Sequence, residues 1–331
     1  SHLLAAHSHR LCRGGTRPPA RTHDPLGTAI DSAEGAVKKS AQKRDSAGTR
    51  LGLTTSRGNN IARATRLWSR LDHAAKLYTA VADVTNSCTF RLAAYMTEQV
   101  DLEKLQRATD KTLQRFRTFN VYLAKGFFWS YLRDSTSRLI VEEESDYPAA
   151  LIEVGTPGAH LLRVFAFGRR IGVEFFHAVT DGSGGLEFLK SLLHTYLSLD
   201  SDFIPTEDKV VAADSWPRLG EDSDSFEEYR AYCKEIGASP AGSPPPARRV
   251  KGTNFDIHGH NVTELIVPAK NLTEAAHKYG VTVSGFLTAV TLAALAQTTR
   301  EIPGNDPFIV AMPLNLRRAL PSRTFRNFFA V

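Results

Sequence analysis

Hydrophobic and polar positions divide the chain into a patternless stretch and a patterned one. From Ser1 to about Ala64 the residues are mainly Ser, Thr, Gly, Arg and Ala, and apolar positions recur with neither period 2 nor period 3.6. Regular patterning starts near Trp68. Segment 86–97 (NSCTFRLAAYMT) partly alternates polar with apolar and reads as a strand, after which Leu102, Leu105, Thr109, Leu113 and Phe116 recur at helical spacing. Segment 138–142 (RLIVE) reads as a short strand. Runs 161–167 (LLRVFAF) and 170–176 (RIGVEFF) are joined by Gly168-Arg169, a tight connection that predicts an antiparallel hairpin. A helix from about Ser183 to Leu199 follows, with Leu186, Leu189, Leu193, Tyr196 and Leu197 along its apolar face and Asp181 or Ser183 available as cap.

Residues 200–250 break the pattern. They are acidic, then rich in Pro, Ser and Gly, with one marginal helix near 226–236, and resemble a connection between lobes. Beyond them, 263–267 (TELIV) reads as a strand, 269–279 as a helix ending at Gly280, 284–299 as a helix capped by Ser284, and 308–313 (FIVAMP) as a strand. Repeated strand-then-helix order makes this an α/β chain with two lobes. The segments are a disordered leader over 1–66, a first lobe over 67–205, a connection over 206–250, and the start of a second lobe over 251–331.

Charge changes the picture only in the leader. The formal charge is +6, yet residues 1–70 hold 13 Lys and Arg against 4 Asp and Glu, leaving 28 against 31 elsewhere. A nucleic-acid surface belongs on the ordered scaffold, interleaved with aromatics; here the basic excess lies outside it, so nucleic acid is not expected as a partner. The Arg-rich, acid-poor leader loosely resembles an organellar transit peptide, but an over-extended reading frame or an expression leader fits its scattered Pro and Gly better. No run of eighteen apolar residues predicts a membrane span, and the expected location is cytoplasmic. Cys12, Cys88 and Cys233 are odd in number and widely separated, which argues against a disulfide framework or a thiolate metal site.

Candidate chemistry concentrates where the second hairpin run ends, at His177-Ala178-Val179-Thr180-Asp181-Gly182. A histidine at the end of a strand has the rigid placement that a general base needs. Gly182 is expected to permit a turn that a Cβ would hinder. From spacing alone, a buried core histidine beside a helix-capping aspartate is the first reading. A serine nucleophile elbow would need Gly two residues before Ser183, where Asp181 stands. Metal ligation by His177 and Asp181 lacks a third ligand at suitable spacing, and His258 and His260 sit in a polar turn, so no metal is expected. Gly182-Ser183-Gly184-Gly185 lacks the Lys of a phosphate-cradling loop.

The sequence HAVTDG, together with WSRLDHAAKLY (68–78), RIGVEFFHAVTDGSGGLEFLKSLL (170–193), GVTVSGFLTAV (280–290) and PLNLRRALPSRTFRNFF (313–329), resembles the HxxxDG acyltransferases. That superfamily includes chloramphenicol acetyltransferase-like enzymes, condensation domains and, most similar here, bacterial alcohol acetyltransferases. The resemblance implies a two-lobed fold with the site between lobes, of which this sequence would hold the first lobe and an incomplete second. It implies His177 as general base for an alcohol or amine attacking acyl-CoA as co-substrate, with no bound cofactor. Asp181 would order the loop by pairing with an arginine, Arg317 ahead of Arg326. Phe176 stands where condensation domains often carry a further His, which weighs against peptide-bond condensation. A condensation-like enzyme fed by a carrier protein, and a non-catalytic scaffold of the same fold, are the alternatives.

Overall fold

A computed structural model of the protein describes residues 68–199, 210–235, 246–248, 252, 262–298 and 306–331. Everything described belongs to one compact unit that lies within Gly58–Val331. The expected leader over 1–66, Cys12, His258, His260 and most of the Pro/Ser-rich stretch 238–247 lie outside the described residues.

The protein is a mixed α/β fold. One antiparallel sheet has the order β1 (Trp68–Arg70), β4 (Ser130–Asp134), β3 (Val121–Lys125). A second has the order β2 (Thr89–Tyr95), β7 (Arg170–Phe176), β6 (Leu162–Phe167), β5 (Glu142–Glu143), antiparallel except where β5 meets β6. The β6–β7 hairpin turns at Gly168, whose φ of 57° is the left-handed backbone that a two-residue loop demands. Strand β7 is covered on both faces and buried from Ile171 to Phe176, which is why its sequence reads as an apolar run interrupted by one carboxylate. That carboxylate, Glu174, is 1% exposed and is held by Arg91 and Arg163, its register partners on β2 and β6. A buried charge is tolerable only when paired in this way.

Two helices cover the face of this sheet that bears Phe175. Helix α2 (Leu102–Arg115), capped by Asp101, packs against α3 (Gly182–Ser198), and Thr112 Oγ1 reaches Thr195 Oγ1 at 3.4 Å. Between them and β7 lies a phenyl cluster of Phe116, Phe119, Phe175, Phe188 and Phe325, with ring centroids 5.0 to 6.4 Å apart. Burying each ring contributes roughly 1.5–3 kcal/mol. The cluster draws Phe325 into the core from a segment far along the chain. Helix α1 (His73–Val81) is capped by Asp72, which accepts the Ala75 amide at 2.7 Å.

Farther along the chain come α4 (Ser225–Glu235), α5 (Ala269–Lys278), α6 (Val283–Thr298) and a short antiparallel pair, β8 (Leu314–Asn315) with β9 (Phe329–Ala330). Helix α5 ends as its sequence predicts. Gly280, at φ 67°, lets the Val281 amide donate to Ala276 O at 3.2 Å and its own amide to His277 O at 2.9 Å. Helix α6 is capped by Thr282, whose Oγ1 accepts the Gly285 amide at 3.1 Å. Ser284, the expected cap, already lies inside the helix. No single described helix is long and apolar enough to cross a membrane; α5 and α6 meet such a test only jointly, across an 80° bend.

Three expected strands are corrected. Of 138–142 only Glu142 is in a strand, the two-residue β5. Segments 263–267 and 308–313 have no strand partner among the described residues, and a β-branched run without a partner cannot form a ladder. Conversely α1, β3 and β4 are elements that the sequence pattern did not predict.

Candidate active site

His177 stands where β7 ends. Its amide donates to Cys88 O at 2.9 Å, which continues the β2–β7 ladder one residue beyond Thr89 and Phe176 and fixes the histidine backbone. The imidazole is half-buried among rings. Tyr78 of α1 stacks on it at 4.2 Å and 16°, Phe90 of β2 lies at 4.8 Å, and Phe329 of β9 at 5.7 Å. Burial there holds the imidazole below the usual histidine range, only partly offset by its bond to Asn327 and by the Asp181 charge. His177 is therefore neutral, and able to accept a proton, at ordinary pH.

Asn327 fixes which nitrogen accepts. Its Oδ1 lies 3.3 Å from His177 Nδ1, and its Nδ2 donates to His177 O at 2.9 Å. With the amide oriented so, Oδ1 takes the Nδ1 proton and Nε2 carries the lone pair. The same Nδ2 lies 3.4 Å from both carboxylate oxygens of Asp72. Burial raises the Asp72 carboxyl above its ordinary range, against the opposing Arg326 guanidinium 3.5 Å away. One buried network thus ties the α1 cap, the histidine and the 324–328 segment together. Asn327, Asp72 and Tyr78 were not singled out by the sequence. Asn327 carries only a faint signal, a polar residue embedded in FRNFF; Asp72 is a helix-cap residue before an apolar run.

Asp181 closes the loop through four hydrogen bonds. Oδ1 accepts the Ser183 and Gly184 amides at 3.0 Å each, capping α3. Oδ2 accepts Arg317 Nη1 and the Phe328 amide at 2.8 Å each. Arg317 also donates to the carbonyls of Thr324, Arg326 and Phe328. Arg326 lies elsewhere: its Nη2 donates to Arg70 O at 2.6 Å and faces Asp72. The structure brings His177, Asp181 and Arg317 into one assembly.

Gly182 is a correction. It is the first residue of α3, its φ is not positive, and a Cβ built on it meets nothing within 4 Å. The steric requirement falls on Gly184, where a Cβ would lie 2.1 Å from Phe325 O and 2.2 Å from Thr180 Oγ1. The 324–328 segment approaches the helix so closely that Thr180 Oγ1 donates to Phe325 O at 2.6 Å. No group of metal-ligating side chains occurs among the described residues.

No family model and no curated protein matches the chain. Solved structures do. The chain is similar to the first condensation domain of the calcium-dependent antibiotic synthetase, with 16% identity over 71% of this chain and 62% of that one, at a TM-score of 0.48. It is similar to the starter condensation domain of rhizomide synthetase in complex with C8-CoA (13% identity, 77% and 64% covered, TM-score 0.47). Polyketide synthase associated protein 5 from Mycobacterium tuberculosis is a third (14% identity, 79% and 67% covered, TM-score 0.44). The chain covers 62–67% of the length of these three structures, and 42–48% of three other structures of the rhizomide starter domain.

Proposed function

We propose that the protein is an acyltransferase that moves an acyl group, acetyl foremost, from coenzyme A to an alcohol, with His177 as general base. The observation that carries this reading is the setting of His177: a strand-end imidazole kept neutral by aromatic burial, with Nδ1 turned toward Asn327 and Nε2 left as the basic nitrogen. Nε2 takes the hydroxyl proton as the alcohol oxygen attacks the thioester carbonyl. The resulting tetrahedral centre collapses by expelling the thiolate, whose conjugate acid has a pKa of about 8.5 and departs without strong acid assistance. No covalent enzyme intermediate is needed. Asp181 and Arg317 serve as loop-ordering residues on this reading, holding the segment after His177 through hydrogen bonds to backbone and guanidinium. Residues 67–205 form the lobe that bears the base, and 314–330 supply its supporting partners.

The test is CoA release from a panel of acyl-CoAs with alcohol and amine acceptors, run beside the same acyl groups on a carrier protein. His177→Ala should lower turnover by about 10²–10⁴-fold, the usual contribution of a general base, while the melting temperature stays near that of the parent. Activity close to the parent's in a folded His177→Ala protein rules out the mechanism. Transfer from the carrier protein but not from CoA would move the donor assignment to carrier-bound thioesters.

A further inference from the structure

The three-stranded sheet ends in a tip that the chemistry above does not use. Strands β3 and β4 are joined by Gly126-Phe127-Phe128-Trp129, closed where the Gly126 amide donates to Trp129 O at 2.8 Å. A Cβ on Gly126 would meet that same oxygen at 2.8 Å, so the turn needs glycine there. Phe127, Phe128 and Trp129 are 93%, 80% and 68% exposed, and their rings contact one another, at 4.6 Å for Phe127 with Phe128 and 6.3 Å for Phe128 with Trp129. Protein surfaces facing only water carry large apolar residues singly; three adjacent aromatics on a hairpin tip mark a surface that meets something.

The strands behind the tip are cationic. Lys125 precedes the turn and is exposed. The register pairs Arg70 with Tyr131 and Trp68 with Arg133, which puts two arginines and two more aromatics on one face, with Trp68 edge-on to Tyr131 at 6.2 Å. Arg70, Arg133 and Trp68 are exposed. Asp134 is the only carboxylate on these strands and their joining loop; it lies at the end of β4 away from the tip, and Arg117 opposes it. The loop beside Lys125 adds one exposed acid, Glu153. Arg133 stands three residues behind Ser130, about 10 Å along a strand. With the tip rings at the boundary of the acyl chains, the cations lie at the depth of lipid phosphates.

We propose that this hairpin seats the protein on an anionic bilayer, with Phe127, Phe128 and Trp129 entering the interface while Lys125, Arg70 and Arg133 face lipid phosphates. Aromatic rings supply the insertion and cations the preference for negative headgroups. This is attachment to a surface, not a span, and no side chain of the His177 site takes part in it.

Flotation of the whole chain with vesicles of phosphatidylcholine, alone and with about 30% phosphatidylserine, tests the seat. The parent should float with the anionic vesicles. Phe127→Ser combined with Phe128→Ser, at exposed positions that leave the core untouched, should weaken binding at least about tenfold, and Lys125→Gln about fivefold. Leu265→Ser with Ile266→Ser, in another exposed apolar run, is the control and should leave binding unchanged. With Trp68 and Trp216 changed to Phe, Trp129 is the one tryptophan left of three; its emission should shift to the blue on anionic vesicles and be quenched by bromine-labelled acyl chains. The basic leader can hold the chain to anionic vesicles by charge alone, but that binding would survive the loss of both phenylalanines. Failure of the parent to float, binding undiminished in the folded double-serine variant, or an unquenched Trp129 overturns the proposal. A lipid-free dimer in sedimentation that the same variant disperses assigns the tip to a second copy of the chain and overturns it as well.

Discussion

Replacing Asn327 by alanine tests whether that amide sets the working state of the base. Asn327 is 1% exposed, and its side chain meets His177 twice, at Nδ1 and at the backbone carbonyl, while touching Asp72. The Nδ1 contact is a long, neutral hydrogen bond of 3.3 Å, so its net contribution is about 0.5–1.5 kcal/mol, equivalent to a roughly 2- to 12-fold bias toward the tautomer with a basic Nε2. Asn327→Ala should lower kcat/KM by about that factor, far less than loss of His177 itself. The variant also leaves the His177 carbonyl and the Asp72 carboxylate short of a donor in a buried setting, which should cost about 1–3 kcal/mol of stability. The pH profile discriminates between the two effects. On the proposed mechanism His177 must be neutral to act, so activity rises with pH through its pKa and levels off above it; burial moves that limb below the usual histidine range. Asn327 favours the protonated ring, so deleting it should move the acid limb to still lower pH. A purely structural loss would lower the plateau and leave the limb where it was. An unmoved limb with kcat/KM within twofold of the parent refutes the orienting role.

Three further outcomes are accessible. Gly184→Ala should destabilise by about 1–3 kcal/mol through collision with Phe325 O and Thr180 Oγ1, whereas Gly182→Ala should stay within about 1 kcal/mol of the parent, as read by chemical denaturation. Arg317→Ala strips the guanidinium from a largely buried Asp181 and should cost about 3–5 kcal/mol, with activity falling in parallel; a change below 1 kcal/mol would show that the pair does not order the loop. The native His177 pKa lies below the unfolded value, so its contribution to stability is complete above about pH 6.5 and is lost as pH falls through the native pKa; His177→Phe should flatten that part of the stability curve.

What the sequence made legible follows from where the physics is local. The hairpin of 161–176 combines two apolar runs with a glycine that must take positive φ, and the helix ends at Asp181 and Gly280 depend on backbone groups a few residues away. Strands β3 and β4 are five residues each, and the aromatic run Phe127-Phe128-Trp129 between them hides the alternation on either side. Segments 263–267 and 308–313 failed in the opposite sense, since their β-branched composition fits a strand but pairing is a tertiary event. The site divides along the same line. His177 and Asp181 lie four positions apart and share a motif, but Asn327 is 150 residues from the histidine it touches, and no periodicity marks a residue whose importance is created by the fold.

The carboxylate of Asp181 also imposes a timetable. Two of its donors lie within three residues, but the other two, Arg317 and Phe328, are 136 and 147 residues downstream. A ribosome adding about 5–20 residues per second has made the loop some 7–30 s before it makes the residues that clamp it. During that interval Asp181 can cap α3 but holds no guanidinium, and His177 has no Asn327 at its Nδ1. The loop after His177 is thus made with only half of the hydrogen bonds that later hold Asp181, and the rest come into being only once residues 317–328 have joined it.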